Sequence, residues 1–322
     1  MIKKIINKIQ KKLALAKAGV LPANWFDEFY KNPPVSPAAY NRPVWSNEAA
    51  NQWLFDSIRS GKSFFASRFG SFELGMLNNF LFNRITGGPH WSSRSLEMLA
   101  RDHSWNGAVA QQERFYDGFL RSVPAIDGLG IWYNHGEETM ANYFCPGAVL
   151  FELLAYEPYF YDRPWTMALE NKKVLVIHPY TSSIPQQYAK RELLFNKPVL
   201  PSFELITYQP FSSYGDDWRN YADMQATVEK MVTDIQQIDF DVALIAAGPQ
   251  GLPLGAAIKQ MNKQAIHVGG ALQLFFGILG KRWEEPGRPQ AAFFNQHWIR
   301  PHATEIPVDP RAHKFSDAGC YW

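Results

Sequence analysis

The chain of 322 residues holds two cysteines, Cys145 and Cys320. So few exclude a disulfide framework and any Cys-based zinc spacing, and they point to a reduced, cytoplasmic setting. Excess charge of one sign is also missing. Thirty-two basic against thirty acidic residues leave a formal net charge of +2, too little for a nucleic-acid partner, and no DNA- or RNA-binding motif appears. No apolar run reaches the roughly 18 residues that would mark a membrane span. Neither G-x-G-x-x-G, G-x-x-x-x-G-K-[ST] nor G-x-S-x-G occurs, so the dinucleotide fingerprint, the P-loop and the hydrolase elbow lack their signatures. Repeats, low-complexity tracts and a clear linker are absent as well.

What is present is a hydrophobic fraction of 46%, 22 glycines and 15% aromatics, including 11 Trp. The length suits one large α/β domain or two modest ones, and without a linker a single domain over 20–322 is the expectation. Aromatic rings can serve as platforms for sugars, although core packing accounts equally well for most of them. The first 19 residues stand apart. Lys3, Lys4, Lys8, Lys11, Lys12 and Lys17 alternate with Ile2, Ile5, Ile6, Ile9 and Leu13 at helical spacing, without an acidic residue. This basic amphipathic helix fits peripheral contact with an anionic inner-membrane surface, each lysine adding about 1 kcal/mol. The plainer alternative is a helix packed on the protein's own body with a solvated lysine face.

From residue 60 onward strands and helices alternate. A Pro-, Asn- and Trp-rich arm (20–46) leads into a helix near 47–60. The pattern then predicts a strand at 63–67, a helix over 71–82, helices within 92–123, a strand at 128–133 and a helix over 138–154. In the second half it predicts strands at 172–180, 203–210, 240–248 and 264–270. Helices follow through 183–195, 217–237, 253–261 and 271–279. Alternation of this kind implies a Rossmann-like, mostly parallel sheet covered by helices on both faces. Ligands in such sheets bind outside the carboxyl ends of the strands.

Four of those ends carry chemistry. Arg68, Gly70, Ser71 and Glu73 follow the first strand, where the first turn of a helix offers unpaired N–H groups to phosphate. An exposed ion pair between Arg68 and Glu73 is the bland reading of the same residues. His178 ends the strand that begins at 172. Gly248, Pro249 and Gly251 make a tight turn into a helix, and His267, Gly269 and Gly270 make another. A lone histidine at a strand end is more often structural than catalytic, but two at neighbouring ends favour a shared site. Either could serve as the base for an acceptor hydroxyl.

The run "SRFGSFE", a late strand ending in a Gly-Pro loop, and the following "AIHVGG" together resemble the GT-D-type glycosyltransferases. The resemblance spans roughly residues 60–280, followed by a tail over 281–322. In that family an Arg-Phe-Gly-Asp-x-Glu motif opens the domain and a Gly-Pro loop follows later. Arg68, Gly70, Glu73, Gly248, Pro249 and Gly269 match. Ser71 stands where the family has its first carboxylate. "KRWEEP" (281–286) and "GCYW" (319–322) are similar to a subgroup of bacterial surface-polysaccharide proteins. The resemblance implies a nucleotide-sugar donor, a glycan or lipid-linked acceptor, and Glu73 beside the donor's diphosphate. Two routes stay open: Mn²⁺ or Mg²⁺ held through Glu73 and water, or a metal-free site in which Arg68 and helix N-termini meet the leaving-group charge. Two other classes remain: a nucleotide- or dinucleotide-binding oxidoreductase on the same fold, and a non-catalytic scaffold of polysaccharide assembly. Oligomeric state is not legible in the sequence.

Overall fold

A computed structural model describes residues 35–86, 109–211, 221–307 and 321–322. The basic segment 1–19 and part of the 92–123 region lie outside the described residues. Eight strands form one sheet: β1 (Val44–Trp45), β2 (Phe64–Arg68), β3 (Gly128–Ile131), β4 (Val149–Glu152), β5 (Lys173–Ile177), β6 (Glu204–Tyr208), β7 (Val242–Ile245) and β8 (Gln264–His267). Their order across the sheet is β1-β4-β3-β2-β8-β7-β5-β6. Every pairing is parallel, as the alternation of elements predicts.

The strands read as continuous apolar runs because both faces of the sheet are covered. Alternate side chains enter different layers, following the two-residue period of a strand. Phe65, Leu175, Ile177, Ala243, Ile245 and Ala265 join one core cluster. Phe64, Ala66, Val174, Val176, Val242, Leu244 and Ile266 join the other. On the first face lie α1 (Ser71–Thr86), α2 (Val109–Ser122), α3 (Met224–Ile235) and α4 (Gly251–Gln260), through Leu77, Phe119, Met231 and Ile258 among others. The second face carries the helix Asn47–Arg59, the Trp165–Leu169 turn and the short helix Ser183–Tyr188.

Polar side chains at the amino ends of the strands are structural. Asp127 accepts from the Phe65 amide at 2.9 Å and from Lys259 Nζ at 2.8 Å. Gln264 Nε2 donates to the carbonyls of Ser57 and Lys62 and so holds the end of the 47–59 helix. Asp223 caps α3 by accepting from the Ala226 amide at 2.8 Å, and its carboxylate also receives Arg114 from α2. A buried polar group needs such partners, since leaving one unpaired costs about 1–3 kcal/mol.

Several expected elements differ from the observed ones. The helix expected over 138–154 ends early. A turn at Glu137–Thr139 passes into a wide helical turn over Met140–Phe144, closed by the Cys145 amide on the Met140 carbonyl at 3.1 Å. Pro146 and Gly147 then break the pattern, and Val149–Glu152 pairs with β3 as a strand. The helix expected through 183–195 stops at Tyr188, where the bonding tightens into turns: the Lys190 amide donates to the Gln187 carbonyl at 3.1 Å and the Leu193 amide to the Lys190 carbonyl at 2.9 Å. Further on, Leu194 O accepts from Trp298 Nε1 at 2.8 Å and from Asn295 Nδ2. The helix expected over 271–279 is confined to Leu272–Phe275, and Gly277 turns left-handed at φ +61°. The edge strand β1 has no counterpart in the expectation; two residues are too few to show a period.

Among the described residues, no helix is long and apolar enough to cross a membrane. Gly130 of β3 faces the ring of Tyr156, which is fully buried, and a Cβ there would collide with it. Gly130→Ala should therefore lower stability by about 1–3 kcal/mol through overpacking, measured as a drop in urea midpoint at unchanged slope. An unchanged midpoint would mean that the Tyr156 ring has room to move.

Candidate functional site

Because all strands run the same way, their carboxyl ends meet along one rim. The register aligns them: Ile177 stands beside Ile245, Ile245 beside His267, Ala66 beside Ile266 and Arg68 beside Gly130. From β3 to β5 the rim carries an unbroken path of contacts.

At one end the Arg68 guanidinium lies over the Trp132 ring, 4.8 Å from carbon to centroid. The indole Nε1 donates to the Phe69 carbonyl at 3.0 Å, so the ring is fastened to the turn that follows Arg68. Trp132 remains 38% exposed, which leaves part of the indole facing solvent at the rim. On its other side Arg68 approaches Gly269: a Cβ there would stand 3.5 Å from Arg68 Cδ. Gly269 adopts φ +74° and Gly248 φ +52°, conformations that L side chains rarely take. Glycine is favoured at both turns for that reason. Gly270 carries the ring of Tyr321 directly above it. The Tyr321 carbonyl accepts from Tyr180 Oη at 3.0 Å and from Gln273 Nε2 at 3.0 Å. Tyr180 in turn packs on His178, with ring centroids 4.6 Å apart. Arg282 lies 4.8 Å from the Tyr321 ring centroid and donates to its hydroxyl.

The structure thus puts Arg68, Gly269 and Gly270 together. It also puts Glu73, Gly70 and Ser71 on the adjoining turn. The Glu73 carboxylate folds back over Gly70, leaving no space for a Cβ, and Ser71 Oγ donates to Asn134 Oδ1 at 3.3 Å. Gly251 opens α4, and the His267 ring fills the space a Cβ at Gly251 would need. Pro249 and Gln250 are buried in the turn before it, and Gln250 Nε2 donates to Thr227 Oγ1 at 2.8 Å. The 248–251 turn is therefore anchored to both β8 and α3.

The two histidines are not brought together. His267 is 4% exposed and shares a hydrogen bond with Ser67 Oγ at 3.2 Å through Nδ1. His178 is 3% exposed, and its Nδ1 accepts from the Tyr180 amide at 3.0 Å. Burial pushes both imidazoles down to about 3, with the nearby Arg68 charge adding to the effect on His267. Both are neutral at physiological pH and brace the turns around them. Three inter-strand steps of roughly 4.8 Å separate β2 from β5, so His178 lies on the far side of the rim from Arg68.

Sequence reasoning missed the end of β3. Glu137 is fully buried there. One oxygen, Oε2, accepts from Tyr40 Oη at 2.8 Å, from the Trp132 amide at 3.0 Å and from the Tyr133 amide at 2.9 Å. The other, Oε1, has no hydrogen-bond partner. Burial raises this carboxyl to about 7, against the opposing pull of its three donors and of Arg68. The run "WYNHGE" directly after a strand was the available signal: polar residues and a glycine at a carboxyl end, in the same setting as "RFGSFE".

A metal would find little protein here. Among the described residues no group of three or more His, Cys, Asp or Glu side chains could hold one. Glu73 offers one carboxylate, and the Ser71 hydroxyl is engaged with Asn134. The donor set therefore does not by itself fit a hard divalent ion.

No family model and no curated protein matches the chain. Two solved structures are similar to it, each over 83% of this chain and 94% of its own. One, described as the domain of unknown function 1792 with a distinct glycosyltransferase fold, has 9% identity and a TM-score of 0.45. The other, a selenomethionine-substituted structure of domain of unknown function 1792, has 10% identity and a TM-score of 0.42.

The buried imidazoles make a stability prediction with a definite sign. Above pH 6.5 they are neutral in both folded and unfolded chains. Below it the unfolded chain takes up protons that the folded one refuses, so stability falls as pH drops from about 6.5 toward 3. Each imidazole contributes a slope of up to about 1.4 kcal/mol per pH unit. His178→Gln and His267→Asn should each flatten the fall in denaturation free energy between pH 6 and 4. Slopes identical to wild type would show that the rings are protonated in the fold.

Proposed function

We propose that this chain is a glycosyltransferase that moves a hexosyl group from a nucleotide-sugar donor to a glycan or lipid-linked acceptor in bacterial surface-polysaccharide synthesis. The observation that carries the reading is Arg68. Its guanidinium is planted at the carboxyl rim of a parallel sheet, stacked on a half-exposed Trp132 and set against the left-handed Gly269 turn. A fixed cation among glycine turns and a helix N-terminus is suited to a diphosphate. The likeness of "RFGSFE" to the glycosyltransferase motif supports the same assignment.

In the reaction the bond between the sugar's anomeric carbon and the diphosphate breaks. A bond to the acceptor oxygen forms, the nucleoside diphosphate leaves with the electron pair, and the acceptor hydroxyl's proton passes to the departing diphosphate or to water. Negative charge develops on the leaving oxygen. Arg68 and the amides of the 269–270 turn meet it already oriented, which is where such groups act most strongly; the Gln250 and Gly251 amides are taken up by the Ala247 and Gly248 carbonyls and leave the 248–251 turn a shaping role. Glu73 orients the diphosphate through water. A metal there would have Glu73 as its protein ligand and would supply further charge neutralisation; since the donor set is one carboxylate, no step is routed through it. The exposed part of the Trp132 ring offers an apolar surface to a sugar or base. Neutral imidazoles near 3 are weak acceptors for a hydroxyl proton, so His178 and His267 serve as supports of the turns in this scheme. The basic N-terminal segment would bring the enzyme to an anionic membrane surface carrying a lipid-linked acceptor.

Thermal shifts with UDP-, GDP-, CMP- and dTDP-sugars, with and without Mn²⁺, test the reading. A donor at a hundred times its dissociation constant adds about 2.7 kcal/mol. Arg68→Ala should abolish the shift. Glu73→Gln should keep the melting temperature of the free protein and lower turnover by orders of magnitude. A response to NAD(P) in place of nucleotide-sugars would make the protein an oxidoreductase, and a response to neither would leave the scaffold reading.

A further inference from the structure

Glu137 is a buried carboxylate with no part in the chemistry above, yet it holds the pieces that carry that chemistry. It collects three donors on Oε2: the Tyr40 hydroxyl from the 37–40 turn and the consecutive amides of Trp132 and Tyr133. Tyr133 sits at φ +63°, a strained conformation for a non-glycine residue that persists only when its surroundings hold it. The two amides held by one oxygen are what fix the backbone through that position. The Trp132 side chain leaves the same backbone to lie against Arg68 and to donate to the Phe69 carbonyl. Glu137 therefore aims the indole, and the indole aims the guanidinium.

Its charge is coupled to the same cation. Arg68 is the positive group acting on Glu137. The Arg68 Nε is buried without a hydrogen-bond partner, as is Glu137 Oε1. The other groups around the carboxylate are Tyr40, Tyr133 with its hydroxyl on Glu152, and Glu138 on the same turn. None of them is cationic, so a diphosphate and Glu137 would share one arginine.

We propose that Glu137 is the positioning residue of the Arg68 site: it fixes Trp132 against the guanidinium, and it takes up a proton when a donor's diphosphate arrives to claim that charge. This rests on the glycosyltransferase reading above. Anion binding beside a carboxylate favours its protonated form, so by linkage the donor binds better when Glu137 carries its proton. The carboxyl titrates near 7 in the free protein, which places the change in the neutral range. His178 and His267, neutral down to about 3, do not contribute there, and the diphosphate diester of a nucleotide-sugar has no proton to lose in it.

The test is the dissociation constant of UDP-glucose, GDP-mannose and dTDP-glucose, measured by calorimetry from pH 5.5 to 9 on the full chain. Wild type should bind several-fold more weakly above the inflection near pH 7 than below it. Glu137→Gln should abolish the inflection. Tyr40→Phe removes a donor that favours the charged carboxylate, so the inflection should move to higher pH; this variant carries the test should Glu137→Gln fail to fold. His135→Asn, a neighbour on the same loop, should keep the wild-type profile. Donor binding with no inflection in wild type, or with one that survives Glu137→Gln or stays in place in Tyr40→Phe, would overturn the inference and leave the glycosyltransferase reading intact. Binding of none of the three sugars would instead count against that reading, and this inference would fall with it.

Discussion

Everything at the candidate site depends on the uniform direction of the strands. In a parallel sheet each strand hands the chain to its connection at the same edge, so the turns and helix starts with unpaired amides collect there. The register between β2, β8, β7 and β5 is in step. As a result Arg68, the 269–270 turn, the 248–251 turn and His178 occupy one rim although some two hundred residues separate the first from the last turn. One antiparallel strand in that set would send its loop to the opposite edge.

The two edges treat polar residues differently. At the amino edge Asp127 and Gln264 have their hydrogen bonds taken up by backbone and lysine, and their business is to close strand starts and a helix end. At the carboxyl edge Arg68 Nε, Glu137 Oε1 and Asn134 Nδ2 are buried without partners. Buried polar atoms left unpaired are costly, and these three lie around the Trp132 end of the rim, with others, such as Gln112 Oε1 and Gln290 Oε1, elsewhere in the fold. Burial also divides the titratable groups of the rim. It makes His178 and His267 inert imidazoles, while it brings Glu137 into the neutral range.

The fold was legible in the sequence wherever a strand was buried on both faces. The segments of β2, β5, β7 and β8 are mainly apolar and nearly all buried, and each lies within one residue of the segment expected for it. The position of Arg68, Glu73 and the glycine turns at strand ends was legible too, since these residue types stand directly after apolar runs. Where a segment's fate depended on distant partners, the sequence pattern misled. Residues 149–152 are strand because β3 is beside them, and beyond Tyr188 the chain runs in short turns whose Leu194 carbonyl is taken by Trp298 and Asn295. Periodicity reports only what a segment does with its own face, and these contacts come from over a hundred residues away or from a neighbouring strand.

The parallel α/β architecture follows from the sequence alone, because apolar strand-length runs alternating with helical ones and glycines at strand ends are local properties. Only the tertiary structure decided that Trp132 backs Arg68, that Tyr321 covers Gly270, and that His178 and His267 lie apart on the rim. It alone gave Glu137 its place. A carboxylate acquires three donors, a missing partner and a titration near 7 only from what surrounds it, and those surroundings come from the 37–40 turn, β2 and β3, which meet only when the sheet has formed.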